Sequence, residues 1–206
     1  MKSTNIFATL LTLVLGIGCG MGEKKSKPAP AKTAVPTPKQ QSPQPKGKKS
    51  TYFDIEPLKA LAEKGDVEAQ DNLGFRFYAG RGVEKDYKEA FKWFSKAAEQ
   101  NYPQAQNYLG WIYAYGRGVE KDDKIAVEWF RKAAEQNHKV AQHWLGKMYT
   151  SGRGVEKDVV TAYAWFSIAS AETNKDKLAK EMTPEQITKA EVLANELRQQ
   201  IEANEN

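Results

Sequence analysis

The chain has 206 residues, 40% hydrophobic and 28% charged, which suits one domain and is short for two. Its formal net charge of +5 is unevenly spread: residues 1–50 hold nine Lys and one acid, a net of +8, which leaves 22 basic and 25 acidic residues, a net of −3, in 51–206. The excess positive charge thus belongs to a tail, which excludes nucleic-acid binding read from the overall pI, and a single cysteine excludes an internal disulfide.

Residues 1–18 read as an export signal. Lys2 precedes an apolar run from Ile6 to Leu15, and small residues follow, the layout of a secretory leader. The run is about half the roughly twenty residues that a spanning helix needs, and no other stretch comes close. Cys19 follows directly, in Leu15-Gly16-Ile17-Gly18-Cys19. A Cys behind small residues at the end of such a run resembles a bacterial lipobox, with Gly16 standing where Leu is usual. The resemblance implies cleavage before Cys19, acylation of that residue, and anchoring to a bacterial membrane. Gly20 in place of Asp points to the outer membrane, with the domain facing the periplasm. A chance cysteine near the cleavage site, and a soluble periplasmic or secreted protein, is the alternative. Two or more acyl chains make a stable anchor, where one holds only marginally.

Residues 19–50 form the expected linker. Stretch 20–50 carries six of the nine prolines, many Lys and almost nothing apolar. Such a composition buries too little surface to offset chain entropy, so the segment is expected to be disordered. At ~3 Å per residue for Pro-rich chain it reaches up to roughly 90 Å.

Self-similarity decides the fold. Arg-Gly-Val-Glu-Lys-Asp occurs at 81–86, 117–122 and 153–158, with a spacing of 36 both times. Leu73-Gly74, Gly80, Trp93-Phe94 and Ala97 recur in the same frame. Each unit reads as two helices, about 67–79 and 87–99 in the first. Gln70, Leu73, Gly74 and Phe77 lie on one face, and Ala90, Trp93, Phe94 and Ala97 on another. Gly80 and Gly82 suit a helix end and turn with positive φ. Asp86 suits an N-cap, Pro103 a first helical turn, and Val83 a plug between the helices. A frame shift of 36 places Leu58, Leu61 and Ala62 on Phe94, Ala97 and Ala98, so 51–65 reads as an N-terminal cap. Repeats 66–101, 102–137 and 138–173 follow. In 174–206, a helix over about 184–202 carries Ile187, Ala190, Leu193, Ala194, Leu197 and Ile201 on one stripe and closes the other end.

The best-formed unit reads Leu109-Gly110-Trp111-Ile112-Tyr113, then Gly116-Arg117-Gly118-Val119-Glu120-Lys121-Asp122, then Ala126, Trp129 and Ala133-Ala134. This resembles the sel-one-like repeat family, related to tetratricopeptide repeats. Phe77 replaces Tyr in the first copy and Ser170 replaces an Ala in the third. The resemblance covers roughly 66–173. It implies an all-α fold, a right-handed α-α superhelix of three helix-turn-helix repeats between capping helices, behind the tail. It also implies an adaptor that holds a protein partner, since several members serve bacterial envelopes and signalling.

Thrice-identical Leu73, Gly74, Trp93, Phe94 and their equivalents read as core. The loop charges Arg81, Glu84, Lys85 and Asp86 read as structural. Variable positions are free for other work. Residues 72, 75 and 79 and their equivalents share a stripe of the first helices, which line the concave surface in tetratricopeptide-like stacks. Phe75, Tyr108, Trp111, Tyr115 and Trp144 fall on it and are the candidate protein-binding residues, Tyr and Trp being favoured anchors.

No catalytic constellation is apparent in 51–206. His138 and His143 are five apart, off the i, i+4 spacing of a zinc helix, and read as surface or groove residues. No nucleophile motif or phosphate-binding glycine loop occurs. No metal and no cofactor is expected. The leading reading is a monomeric, non-enzymatic adaptor in a bacterial envelope that takes a protein or peptide in its groove and is anchored to a membrane through a lipid on Cys19. The alternatives are a periplasmic regulator of a membrane sensor kinase, and an envelope enzyme or cell-wall glycan binder.

Overall fold

The computed structural model describes residues 55–204. They lie in one compact unit, 47–206, and contain α-helices and no strand. Expectations for the leader, for Cys19 and for the linker fall outside the described residues. The helices are α1 (Glu56–Glu63), α2 (Val67–Ala79), α3 (Tyr87–Glu99), α4 (Pro103–Tyr115), α5 (Asp123–Ala134), α6 (Lys139–Ser151), α7 (Val159–Ile168), α8 (Glu172–Ala179) and α9 (Pro184–Asn204). Each packs on the next from α1 to α8, and α9 returns to cover α7. The stack is an α-solenoid of three helix pairs.

Local chemistry sets the boundaries. Asp86, Asp122 and Asp158 sit in extended backbone and accept two backbone N–H bonds each, at 2.8–3.2 Å, at the starts of α3, α5 and α7. Gly80, Gly116 and Gly152 end the first helices in the left-handed region, their N–H groups donating to Arg76, Ile112 and Met148 carbonyls. Pro103 stands in the first turn of α4.

Inside each pair, a glycine is the socket for a phenylalanine. A Cβ on Gly74, Gly110 or Gly146 would come within 2.6–2.8 Å of the Phe94, Phe130 or Phe166 ring. The ring occupies the volume that the glycine leaves, and all three rings are buried.

Between pairs, the loop arginine reaches back one repeat. Arg117 donates to the Tyr78 hydroxyl and lies over the Tyr87 ring. Arg153 pairs with Asp123 at 2.6 Å and donates to the Ala114 carbonyl at 3.2 Å. The glycine after each arginine lets the loop touch the previous pair. A Cβ on Gly118 would be 2.6 Å from Tyr87 backbone, and one on Gly154 would overlap the Asp123 carbonyl. Arg81 instead lies over Phe75 of its own repeat, 4.9 Å from the ring centre.

A second link lies within the first two pairs, where a glutamine after the second helix meets a buried glutamine of the first. Gln100 Nε2 donates to Gln70 Oε1 at 2.8 Å, and Gln136 Nε2 to Gln106 Oε1 at 2.7 Å. Thirty-six residues beyond Gln136 stands Glu172, which pairs with Lys175, so the Gln142 Oε1 is left buried without a donor. The pattern stops where the repeat stops.

Two expectations need correction. Trp93 and Trp165 are buried, but Trp129 is only half-buried, with Lys132 over its ring at 4.2 Å. Trp93 is covered from the α1 side, and Trp165 packs in a cluster with Ala194 and Ile201 of α9. The middle indole has neither end helix to close it. Leu61 is exposed among the described residues, whereas Ala62 is buried. The third pair is shorter: α7 stops at Ile168, Ser170 takes φ of 56°, and α8 begins at Glu172. The α9 stripe is buried on the expected side. Thr183 and Gln186 close its start with reciprocal bonds at 2.9 and 3.3 Å.

Candidate functional site

The first helices α2, α4 and α6 bring the five candidate aromatics together in two groups. Phe75 and Tyr108 have ring centres 5.8 Å apart. Trp111 meets Trp144 at 4.9 Å and Tyr115 at 5.8 Å, and Tyr115 meets Trp144 at 6.3 Å. Tyr108 is the most structural of them, stacked on Phe94 at 4.5 Å and 17°. Trp144 stacks on Phe130 and carries Lys147 over its other surroundings, 4.2 Å from the ring. Tyr115 is 46% exposed, and the other four are half-buried. Arg117 joins the groups, lying 5.2 Å from the Tyr78 ring centre and 5.4 Å from that of Tyr115.

Two members of this surface escaped the sequence reading. Tyr78 contacts Tyr87, Phe94 and Tyr108; its column holds Ala114 and Thr150 in the other repeats, and that variation was the available signal. The other is α8, which lies past the repeated frame. Together with α6 it encloses a cleft of about 420 Å³ beside Tyr115 and Trp144.

Polar groups on the same helices are poorly matched. Asp71 is buried, with Oδ1 lacking a donor, and burial pushes its carboxyl up to about 7. Asn107, one repeat on, is buried with its Oδ1 likewise unpartnered. His143 takes the third place in this column, 5.5 Å from Phe166, its pKa lowered by burial and then by Lys147. His138 is half-buried and serves the fold. Its Nδ1 accepts from Ala141 N–H at 3.2 Å to cap α6, and Nε2 meets Gln104 Oε1 at 2.8 Å, tying the second repeat to the third. Nδ1 must be unprotonated to accept, in keeping with a pKa lowered by burial. Among the described residues no group of His, Cys, Asp and Glu could hold a metal ion, and no helix is long and apolar enough to cross a membrane.

Comparison with known proteins decides the family. Three consecutive segments, 67–102, 103–138 and 139–174, each match the Sel1 repeat. The chain belongs to the Sel1 repeat family. A structure of a protective antigen from uropathogenic Escherichia coli, displaying an SLR fold, superposes with a TM-score of 0.68 at 40% identity, over 71% of this chain and 33% of that one. A Sel1 repeat protein from Oxalobacter formigenes superposes with a TM-score of 0.53 at 43% identity, over 62% of this chain and 95% of that one. In sequence, the chain is 44% identical over 46 residues to a putative sel1-like repeat-containing protein of Acanthamoeba polyphaga mimivirus. It is 42% identical over 44 residues to the secretory immunoglobulin A-binding protein EsiB of Escherichia coli. These stretches are 22% and 21% of this chain and only 8% and 9% of those proteins. Sel1-repeat proteins are generally protein-interaction scaffolds, typically without enzymatic activity, and this chain has their fold.

Proposed function

We propose that this Sel1-repeat chain is a non-enzymatic adaptor of a bacterial cell envelope, lipid-anchored through Cys19, that holds a peptide or protein segment against Phe75, Tyr108, Trp111, Tyr115 and Trp144. The observation that carries the reading is the group Trp111, Tyr115 and Trp144: three rings in mutual contact, one of them half-exposed, beside an open cleft. Large rings at a partly open surface supply contact area at small entropic cost and are the usual anchors of protein interfaces. The Trp111 indole N–H is buried with no acceptor, a donor that the fold leaves unused. Resemblance over one repeat to a protein named for binding immunoglobulin A supports protein binding as the class of activity.

The test uses the full chain and peptides selected from a random displayed library. Trp111→Ala is expected to weaken a selected peptide by about thirtyfold, as a hot-spot truncation of ~2 kcal/mol does. Tyr115→Ala, at an exposed position, should weaken it with little change in melting temperature. Unchanged affinity in both variants, with the helical circular dichroism intact, would sink the groove. Anchoring has its own readout. Metabolic labelling with a fatty-acid probe should mark the chain, and Cys19→Ser should abolish the label; label that survives the substitution refutes acylation at that residue.

A further inference from the structure

The cleft between α6 and α8 has an apolar floor and a cationic rim. Trp144, Met148, Phe166 and Leu178 line it. Lys147 on α6 and Lys177 on α8 stand on its rim, both exposed. Neither is in an ion pair among the described residues. Arg153 also lines the cleft, but Asp123 already offsets its charge. The one carboxylate on the rim is Glu181. The unit around it carries a net negative charge, as 51–206 sum to −3, so this positive rim runs against the unit's net charge.

We propose that this cleft selects the partner: it takes an apolar side chain from a peptide segment whose neighbouring residues are Asp or Glu. This deepens the groove reading above and rests on it. The apolar side chain enters between Trp144 and Leu178, and flanking carboxylates meet Lys147 and Lys177. Two separate ammonium groups on two helices suit side-chain carboxylates spread along a segment, where a single chain terminus would offer one charge. Charge complementarity of this kind sets specificity and association rate more than total affinity.

The test is a selection of random twelve-residue peptides, displayed internally without free C-termini, against the full chain. Enrichment of segments with an aromatic or aliphatic residue beside Asp or Glu is expected. A synthetic winner should lose about tenfold in affinity in the double variant Lys147→Glu, Lys177→Glu, and should weaken as salt rises. The double variant should itself select basic segments. Enrichment of neutral or basic segments by the original chain, still dependent on Trp111, would overturn this inference and leave the groove standing. Failure to enrich anything would overturn both. Self-association of the chain that the charge reversal abolishes would show a second copy in the cleft, and overturn it too.

Discussion

Replacing Gly154 by Ala is expected to lower stability by about 2–5 kcal/mol, because two separate penalties meet at one atom. Gly154 has φ of +72°, where an L side chain costs about 1–2 kcal/mol. Its Cβ would also overlap the Asp123 carbonyl at the start of α5, and neither atom belongs to a flexible side chain. Relief requires the third repeat to move off the second, which strains Arg153 on Asp123 and adds an overpacking cost of about 1–3 kcal/mol. For a unit of this size the melting temperature should fall on the order of 10 °C. Gly65→Ala is the matched control: its φ is +96°, but nothing lies within 4 Å of the new atom, so only the backbone penalty applies. Thermal unfolding of both variants checks the claim. Equal losses would mean that the contact between repeats carries no energy.

The second large effect has the opposite sign. Asp71→Asn should stabilise the chain at pH 8 by roughly 2–4 kcal/mol and leave it unchanged near pH 3.5. The ordinary carboxyl value is 3.8, and burial pushes Asp71 up to about 7 in the fold. The folded state therefore holds this proton more tightly than the unfolded chain does. The resulting stability is complete below pH 3.8 and is lost as pH rises through about 7. Asn107 fills the equivalent place in the next repeat, so the backbone already accommodates the amide. His138 and His143 act in reverse. Burial lowers both from 6.5, so their contribution is present above 6.5 and lost as pH falls through the lowered values. Both are shared by the two proteins, and the difference between melting curves from pH 3.5 to 8.5 isolates Asp71. A constant difference across that range would show that the carboxylate is not destabilised by its surroundings.

The arrangement of Asp71 shows what the sequence could and could not reveal. Its column reads Asp71, Asn107, His143, as variable as the aromatic stripe beside it, and nothing in that spacing says that the first two are buried without partners. Helix ends were legible because each depends on a local requirement: a cap at Asp86, positive φ at Gly80, a missing N–H at Pro103. The five aromatics were legible through helical period together with the resemblance to tetratricopeptide-like stacks. Their grouping into two sets was not, since Tyr78 and Arg117 join them across 39 residues of chain. The glutamine columns were visible as repeats, yet the pairing of Gln70 with Gln100 needs the folded hairpin. Trp129 misled because identical residues in a finite stack meet different neighbours at its ends and its middle. The α8 cleft lay hidden because no second copy of that helix exists to compare.

The backward reach of Arg117 and Arg153 gives this body a particular kind of cohesion. The side-chain links between pairs join residues 30 to 39 positions apart, so each pair is fastened only to its immediate neighbours. Such an object has no keystone. It is a chain of clasps, and a blow to one clasp loosens a seam while the links on either side keep their grip.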